Sequence, residues 1–142
     1  MKKVKIYFFY AFLLGVLGVN TVGAQNSLVA ISPSVKYDNA VKGAEKYLLP
    51  SSENPLDAIV KKLEAKSFNE LHIYALAEAD NIVFHGLSLC ASNLEENKAE
   101  LSKFKAFQVR IVFHSKVLGK TEEGKKFLNQ LSEQMGNVVV VE

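Results

Sequence analysis

The sequence predicts a single α/β domain with a mainly parallel sheet flanked by helices on both faces. Three observations predict it. Short apolar runs alternate with stretches of helical periodicity, which is the pattern of parallel-sheet domains. No internal repeat, low-complexity tract or long linker divides the chain. The 142 residues, less a leader of 24, leave a length that suits one domain with a real core.

The elements follow in order. Residues 28–31 read as a buried strand stopped by Ser32-Pro33, residues 38–44 as a short helix, and residues 46–49 as a second strand ending at Pro50. Asn54 then caps a helix with Pro55 in its first position, where a missing N–H costs nothing; Leu56, Ile59, Val60 and Leu63 form its apolar stripe. Residues 71–76 form a third strand. Residues 82–84 and 87–89 are short strands around a turn at His85-Gly86. Ser92 or Asn93 caps a helix reaching about Lys105, with Leu94, Leu101 and Phe104 facing in, and residues 107–113 form a strongly apolar strand. Thr121 caps the last helix, whose first turn holds Glu122 and Glu123 where the dipole favours them. Its stripe is Phe127, Leu128, Leu131 and Met135, and Gly136 suits its C-terminal cap. Residues 138–141 close the sheet.

The N-terminus carries an address. Lys2, Lys3 and Lys5 precede an apolar run from Ile6 to Val19, and Val22-Gly23-Ala24 places small residues where a signal peptidase reads. Residues 1–24 are therefore expected to be a Sec-type signal peptide and residues 25–142 the mature domain, periplasmic or extracellular. The apolar run is too short for a span of about 20 residues, so no membrane span is expected after cleavage. A lipobox cysteine is missing at the cleavage site, and the apolar run ending at Glu142 is expected to leave no C-terminal anchoring module. Losing three lysines and no acid takes the formal net charge from +2 to −1. With one arginine and scattered lysines, no nucleic-acid partner is expected. Cys90 is the only cysteine, which excludes an intramolecular disulfide.

In an open parallel sheet, ligands and catalytic groups sit beyond the carboxyl ends of the strands. Here those ends read Leu71-His72-Ile73-Tyr74-Ala75-Leu76-Ala77 and Ile111-Val112-Phe113-His114-Ser115, the latter followed by Gly119, Gly124, Phe127 and Leu131. In these motifs, their order and their spacing, the mature chain resembles the bacterial domain of unknown function 4347 family. That family is distantly caspase-like and often stands near the N-termini of very large secreted repeat proteins and adhesins. Its pattern is a strand reading Leu-His-Ile-x-Ser-His-Gly and a second ending in Tyr-Gly-Cys. The resemblance implies caspase-like or flavodoxin-like layering and aligns the family His with Leu76 and the family Cys with Ser115. Leucine cannot transfer a proton, and a serine hydroxyl without a base is a poor nucleophile at neutral pH. The resemblance thus implies a pseudoenzyme-like scaffold, with Ala75, Leu76, Ala77, His114 and Ser115 lining a vestigial crevice.

The remaining residues are weighed singly. Ser115 with His114 suggests a serine hydrolase, but adjacent strand-end residues point to opposite sides. His85 is the better base, making a hydrolase with Ser115 as nucleophile and His85 as relocated base the alternative function. His72, between Leu71 and Ile73, reads as a hydrogen-bonded core histidine. The three histidines lack ligand spacing, so no metal and no cofactor are expected. Cys90 reads as a small buried hydrophobe. Residues 36–46, the least regular part of the chain, are the choice for a partner-facing surface. No phosphate loop or nucleophile elbow is present. The leading expectation is an exported, non-catalytic binding or interaction domain whose partner is an envelope or secreted protein; the sequence leaves its oligomeric state open.

Overall fold

The computed structural model describes residues 5–7 and 26–142. Its larger sheet contains β1 (Lys5–Tyr7), β2 (Ser27–Ile31), β3 (Glu45–Leu48), β4 (Glu70–Tyr74), β8 (Arg110–Phe113) and β9 (Val139–Val141) in the order β1-β9-β8-β4-β2-β3. Five of these strands run parallel and β1 pairs antiparallel with β9. A smaller antiparallel sheet holds β5 (Leu76–Ala77), β6 (Asn81–Phe84) and β7 (Leu87–Cys90). The α-helices of the described residues are α1 (Pro55–Ala65), α2 (Lys98–Ser102) and α3 (Glu122–Met135). The mixed α/β class with a mainly parallel sheet is as the sequence predicts, but the described helices pack on one face of the sheet rather than on both, and a loop covers part of the other.

Register divides the central strands into two faces, because alternate residues of a strand point to opposite sides. Leu28, Leu71, Ile111 and Val139 lie abreast, as do Ala30, Ile73, Phe113 and Val141. On this face they join one apolar core with the stripes of α1 and α3, Leu101 of α2, and Ile82, Phe84 and Leu89 of the small sheet. Burying one such Leu, Ile or Phe stabilises by about 1.5–3 kcal/mol. Val29, His72, Val112 and Val140 lie abreast on the other face. Over β2 and β4 this face is covered by the loop that follows β2, whose Val35, Tyr37, Val41 and Ala44 pack on Val29, Ile31 and Tyr74.

The helix ends follow their capping residues. The Asn54 side chain accepts from the backbone N–H groups of Leu56 (2.9 Å) and Asp57 (3.3 Å). Thr121 accepts from the Gly124 N–H at 3.0 Å. Gly136 ends α3 in the left-handed region (φ 64°) and donates its N–H to the Ser132 carbonyl at 2.8 Å. Beyond it, fully buried Asn137 accepts from the Val109 N–H and donates to the Phe104 and Met135 carbonyls. This one side chain ties the end of α3 to the approach to β8. Gly124 has a steric duty: a Cβ there would be driven into the backbone carbonyl of Ala79, so α3 can start this close to the β5–β6 turn only with glycine.

Several boundaries depart from expectation. Residues 38–44 are not helical. Asp38 accepts from the Ala40 N–H at 2.9 Å, and Asn39 takes a positive φ of 58°, so a side-chain turn replaces the first helical turn. The third strand ends at Tyr74, and Leu76–Ala77 departs to the small sheet. The helix expected up to Lys105 is broken into the 3-10 turn Ala91–Asn93, α2, and the 3-10 turn Lys103–Ala106. Asn93 side-chain bonds to the Cys90 N–H and the Ser88 carbonyl compete there with helical pairing. Strand β8 begins at Arg110 rather than residue 107. Residues 5–7 of the expected leader form β1, paired with β9 at the sheet edge, so cleavage after Ala24 would remove that strand; the rest of the apolar segment and its cleavage motif lie outside the described residues. Among the described residues no helix is long and apolar enough to cross a membrane.

Candidate functional site

A row of polar side chains crosses the face opposite the helices. Glu70, His72 and Tyr74 are alternate residues of β4 and so share that face. Pairing of Glu70 with Arg110 starts β8 in register, and alternation brings His114, just past the end of β8, to the same side. Glu142 follows Val140 in the same way on β9. These contacts join residues about forty positions apart.

The row is connected. Arg110 Nη1 donates to Glu70 Oε2 at 2.8 Å, and the Ser27 hydroxyl reaches Glu70 Oε1 at 3.4 Å. Glu70 Oε1 lies 3.2 Å from His72 Nε2, and His72 Nδ1 lies 2.9 Å from His114 Nε2. The hydrogen bond with His72 is the largest cause that draws the Glu70 carboxyl down from 4.5 to about 2; Arg110 adds to it, and together they outweigh desolvation. An ionised Glu70 can only accept, which assigns the proton to His72 Nε2. With His72 neutral, its Nδ1 is the acceptor for His114 Nε2–H. The His114 ring stacks on Tyr74 with centroids 4.3 Å apart, and Tyr74 donates its hydroxyl to Asp38 at 3.3 Å. Burial first, then the Asp38 carboxylate, pushes the Tyr74 hydroxyl well above its ordinary value, so it stays a neutral donor. His72 is buried, His114 and Glu142 half-buried, and their ligand atoms all lie within 4.8 Å of one another.

The residues singled out at the strand ends have separate positions. Ala75 and Ala77 pack against the helix-side core, whereas Leu76 between them is 49% exposed. Ser115 Oγ accepts from the backbone N–H groups of Val117 (3.2 Å) and Leu118 (3.0 Å), closing the turn after β8. His114, its neighbour, turns to His72. His85 is exposed on the β6–β7 hairpin, and its backbone N–H donates to Ser32 Oγ at the end of β2. That is two strands from β8, about 10 Å at ordinary sheet spacing. A cleft of about 430 Å³ lined by Leu94, Lys98, Gln130 and Gln134 lies apart from the polar row.

The sequence reading of His72 as a hydrogen-bonded core histidine agrees with the structure. One other reading is corrected: Cys90, expected to be a small buried hydrophobe, is half-buried at the end of β7, with its Sγ 3.1 Å from Ser92 Oγ. His114 is stacked and hydrogen-bonded. The segment 36–46 turns Tyr37, Val41 and Ala44 onto the sheet and leaves Lys36, Lys42 and Lys46 exposed. The expectation that the histidines lack ligand geometry overlooked Glu142 and the His72–His114 juxtaposition, since both arise from strand register. Glu70, Arg110 and Asp38 were missed as well. The available signal was the alternation Glu70-x-His72-x-Tyr74, which marks one polar face of an otherwise apolar strand.

Fold and site define a small α/β domain: a parallel sheet with helices packed on one side and a partly buried polar row on the other. The family model described as "Domain of unknown function (DUF4347)" matches residues 27–141, and the chain belongs to that family. No curated protein and no solved structure matches it.

Proposed function

We propose that this chain is an exported, non-catalytic binding domain of the bacterial envelope or extracellular space, in which Leu76 and Ser115 replace the family's His and Cys. One observation carries the reading. The exposed large hydrophobic side chains of the described residues are Leu48 (64%), Leu76 (49%) and Val117 (46%). Leu48 ends β3, Leu76 follows β4 and Val117 follows β8, so all three stand at the carboxyl end of the parallel strands. Single exposed hydrophobics are ordinary. Their collection at the end where open α/β sheets bind favours a partner with apolar side chains, an envelope or secreted protein. The chemistry supports the absence of a nucleophile–base pair: Leu76 has no proton to exchange, and the Ser115 hydroxyl is engaged by two backbone donors. The basic start, apolar run and small-residue cleavage motif support export.

Crosslinked pull-down from the envelope and medium of the producing cell tests this. Wild type and Ser115→Ala are expected to capture the same protein, and Leu76→Asp with Val117→Asp to lose it. Labelling by a serine-directed fluorophosphonate that disappears in Ser115→Ala would instead establish the hydrolase with Ser115 as nucleophile and His85 as candidate base. N-terminal sequencing of the exported chain is expected to begin at Gln25; an uncleaved chain retained in the cytosol rejects export.

A further inference from the structure

We propose that His72, His114 and Glu142 form a binding site for a divalent transition-metal ion of the zinc class. The site uses none of the exposed apolar side chains of the rim and does not depend on what the rim binds. Two imidazoles and a carboxylate bring nitrogen and oxygen ligand atoms within 4.8 Å of one another on one face of the sheet. Zinc takes such a mixed set, with Zn–N distances of about 2.0–2.1 Å and a tetrahedral arrangement that leaves a fourth position for water or a partner's ligand. Calcium and magnesium prefer all-oxygen sets, so two nitrogens select against them.

The surroundings are those of a metal-binding histidine. Glu70 holds the Nε2–H of His72 at 3.2 Å, which turns the Nδ1 lone pair toward His114 and raises its basicity. Arg110 and Ser27 in turn hold Glu70, so that carboxylate stays an orienting group. Tyr74 stacks on the His114 ring and fixes its plane, and Asp38 fixes Tyr74. His72 Nδ1 and His114 Nε2 stand 2.9 Å apart. Two nitrogens on one tetrahedral zinc are separated by roughly 3.3 Å, given those bond lengths. Admitting the ion therefore takes an opening of a few tenths of an ångström together with a turn of the His114 ring within its plane, so that the two lone pairs converge off the line between the nitrogens. The opening falls on His114 and Glu142, which sit just beyond β8 and β9 and are half-buried. The ion replaces the proton shared by the two rings, which moves to His114 Nδ1, so both histidines bind as neutral imidazoles. Glu142 supplies negative charge against the incoming cation.

Calorimetric titration of the purified full chain, stripped with a chelator, with zinc chloride tests the site. Melting curves and the visible absorption of the cobalt(II)-loaded protein are recorded alongside. One equivalent of zinc is expected to bind and raise Tm, and cobalt(II) is expected to give a tetrahedral d–d band. Because His72 is buried and its variants can fail to fold, the deciding variants are His114→Gln and Glu142→Gln. Each is expected to abolish the cobalt band and weaken zinc binding at least tenfold. Glu70→Gln, which touches no ion, is expected to weaken zinc binding by about 10–100-fold through the lost orientation of His72. An absence of binding at saturating zinc overturns the site. So does binding that His114→Gln and Glu142→Gln leave unchanged, since the ion would then sit elsewhere.

Discussion

The two faces of the central sheet are made by the same strands, residue by alternate residue, and they are built on opposite principles. On the helix side the rows across β2, β4, β8 and β9 are apolar, from Leu28, Leu71, Ile111 and Val139 to Ala30, Ile73, Phe113 and Val141. On the other side Val29, Val112 and Val140 share the face with Glu70, His72 and Tyr74. Apolar burial is non-directional and tolerates imperfect fit at modest cost. A buried polar group is tolerated only when its partners are in place. The first face therefore supplies stability. The second spends some of it to hold Arg110, Glu70, His72, His114 and Tyr74 in one geometry, and that difference marks the second face as the place to look for chemistry.

The comparison can be broken most sharply on the apolar side. Phe127→Ala removes a fully buried ring of α3 and is expected to cost about 3–5 kcal/mol by urea denaturation, with no change in the shape of the stability–pH curve. His72→Leu keeps the volume and removes the centre of the polar row. It should cost about 1–3 kcal/mol, because Glu70 and His114 each lose a partner. A loss matching that of Phe127→Ala would mean that the two faces are not energetically distinct.

The third prediction concerns pH, measured with chelator present. The Glu70 carboxyl is depressed in the folded state from 4.5 to about 2. Its contribution is therefore fully present above pH 4.5 and is lost as pH falls toward about 2. Glu70→Gln should remove that part of the acid limb, while Phe127→Ala lowers the whole curve in parallel. An unchanged acid limb in Glu70→Gln would assign it to other carboxylates. The smallest effect belongs to neither face. Gly136→Ala forces a left-handed φ on an L-residue and sets its Cβ 2.7 Å from Lys105 Cγ. Because that side chain is flexible and can shift, a loss of about 1–2 kcal/mol is expected in thermal melts.

Much of the architecture was legible in the sequence. The capped ends at Asn54, Thr121 and Gly136, the stripes of α1 and α3, and the hairpin around His85-Gly86 were each readable from neighbours within one or two turns. The failures have a common physical source. At residues 38–44 and 91–106, Asp38, Asn93 and Asn97 make side-chain bonds to nearby backbone that compete with helix, and periodicity does not register them. The site was less legible. The strand ends drew attention to His114 and Ser115, but only the first joins the polar row.

By itself, the sequence determined the class of fold, the two long helices, and which residues of each central strand are apolar, because these follow from short-range periodicity and capping. The tertiary structure alone decided that Arg110 meets Glu70 across 40 positions and that His114 meets His72 across 42. Those meetings depend on the register of parallel strands joined by long crossovers. A slip of one residue in β8 would carry His114 to the opposite face and dissolve the row.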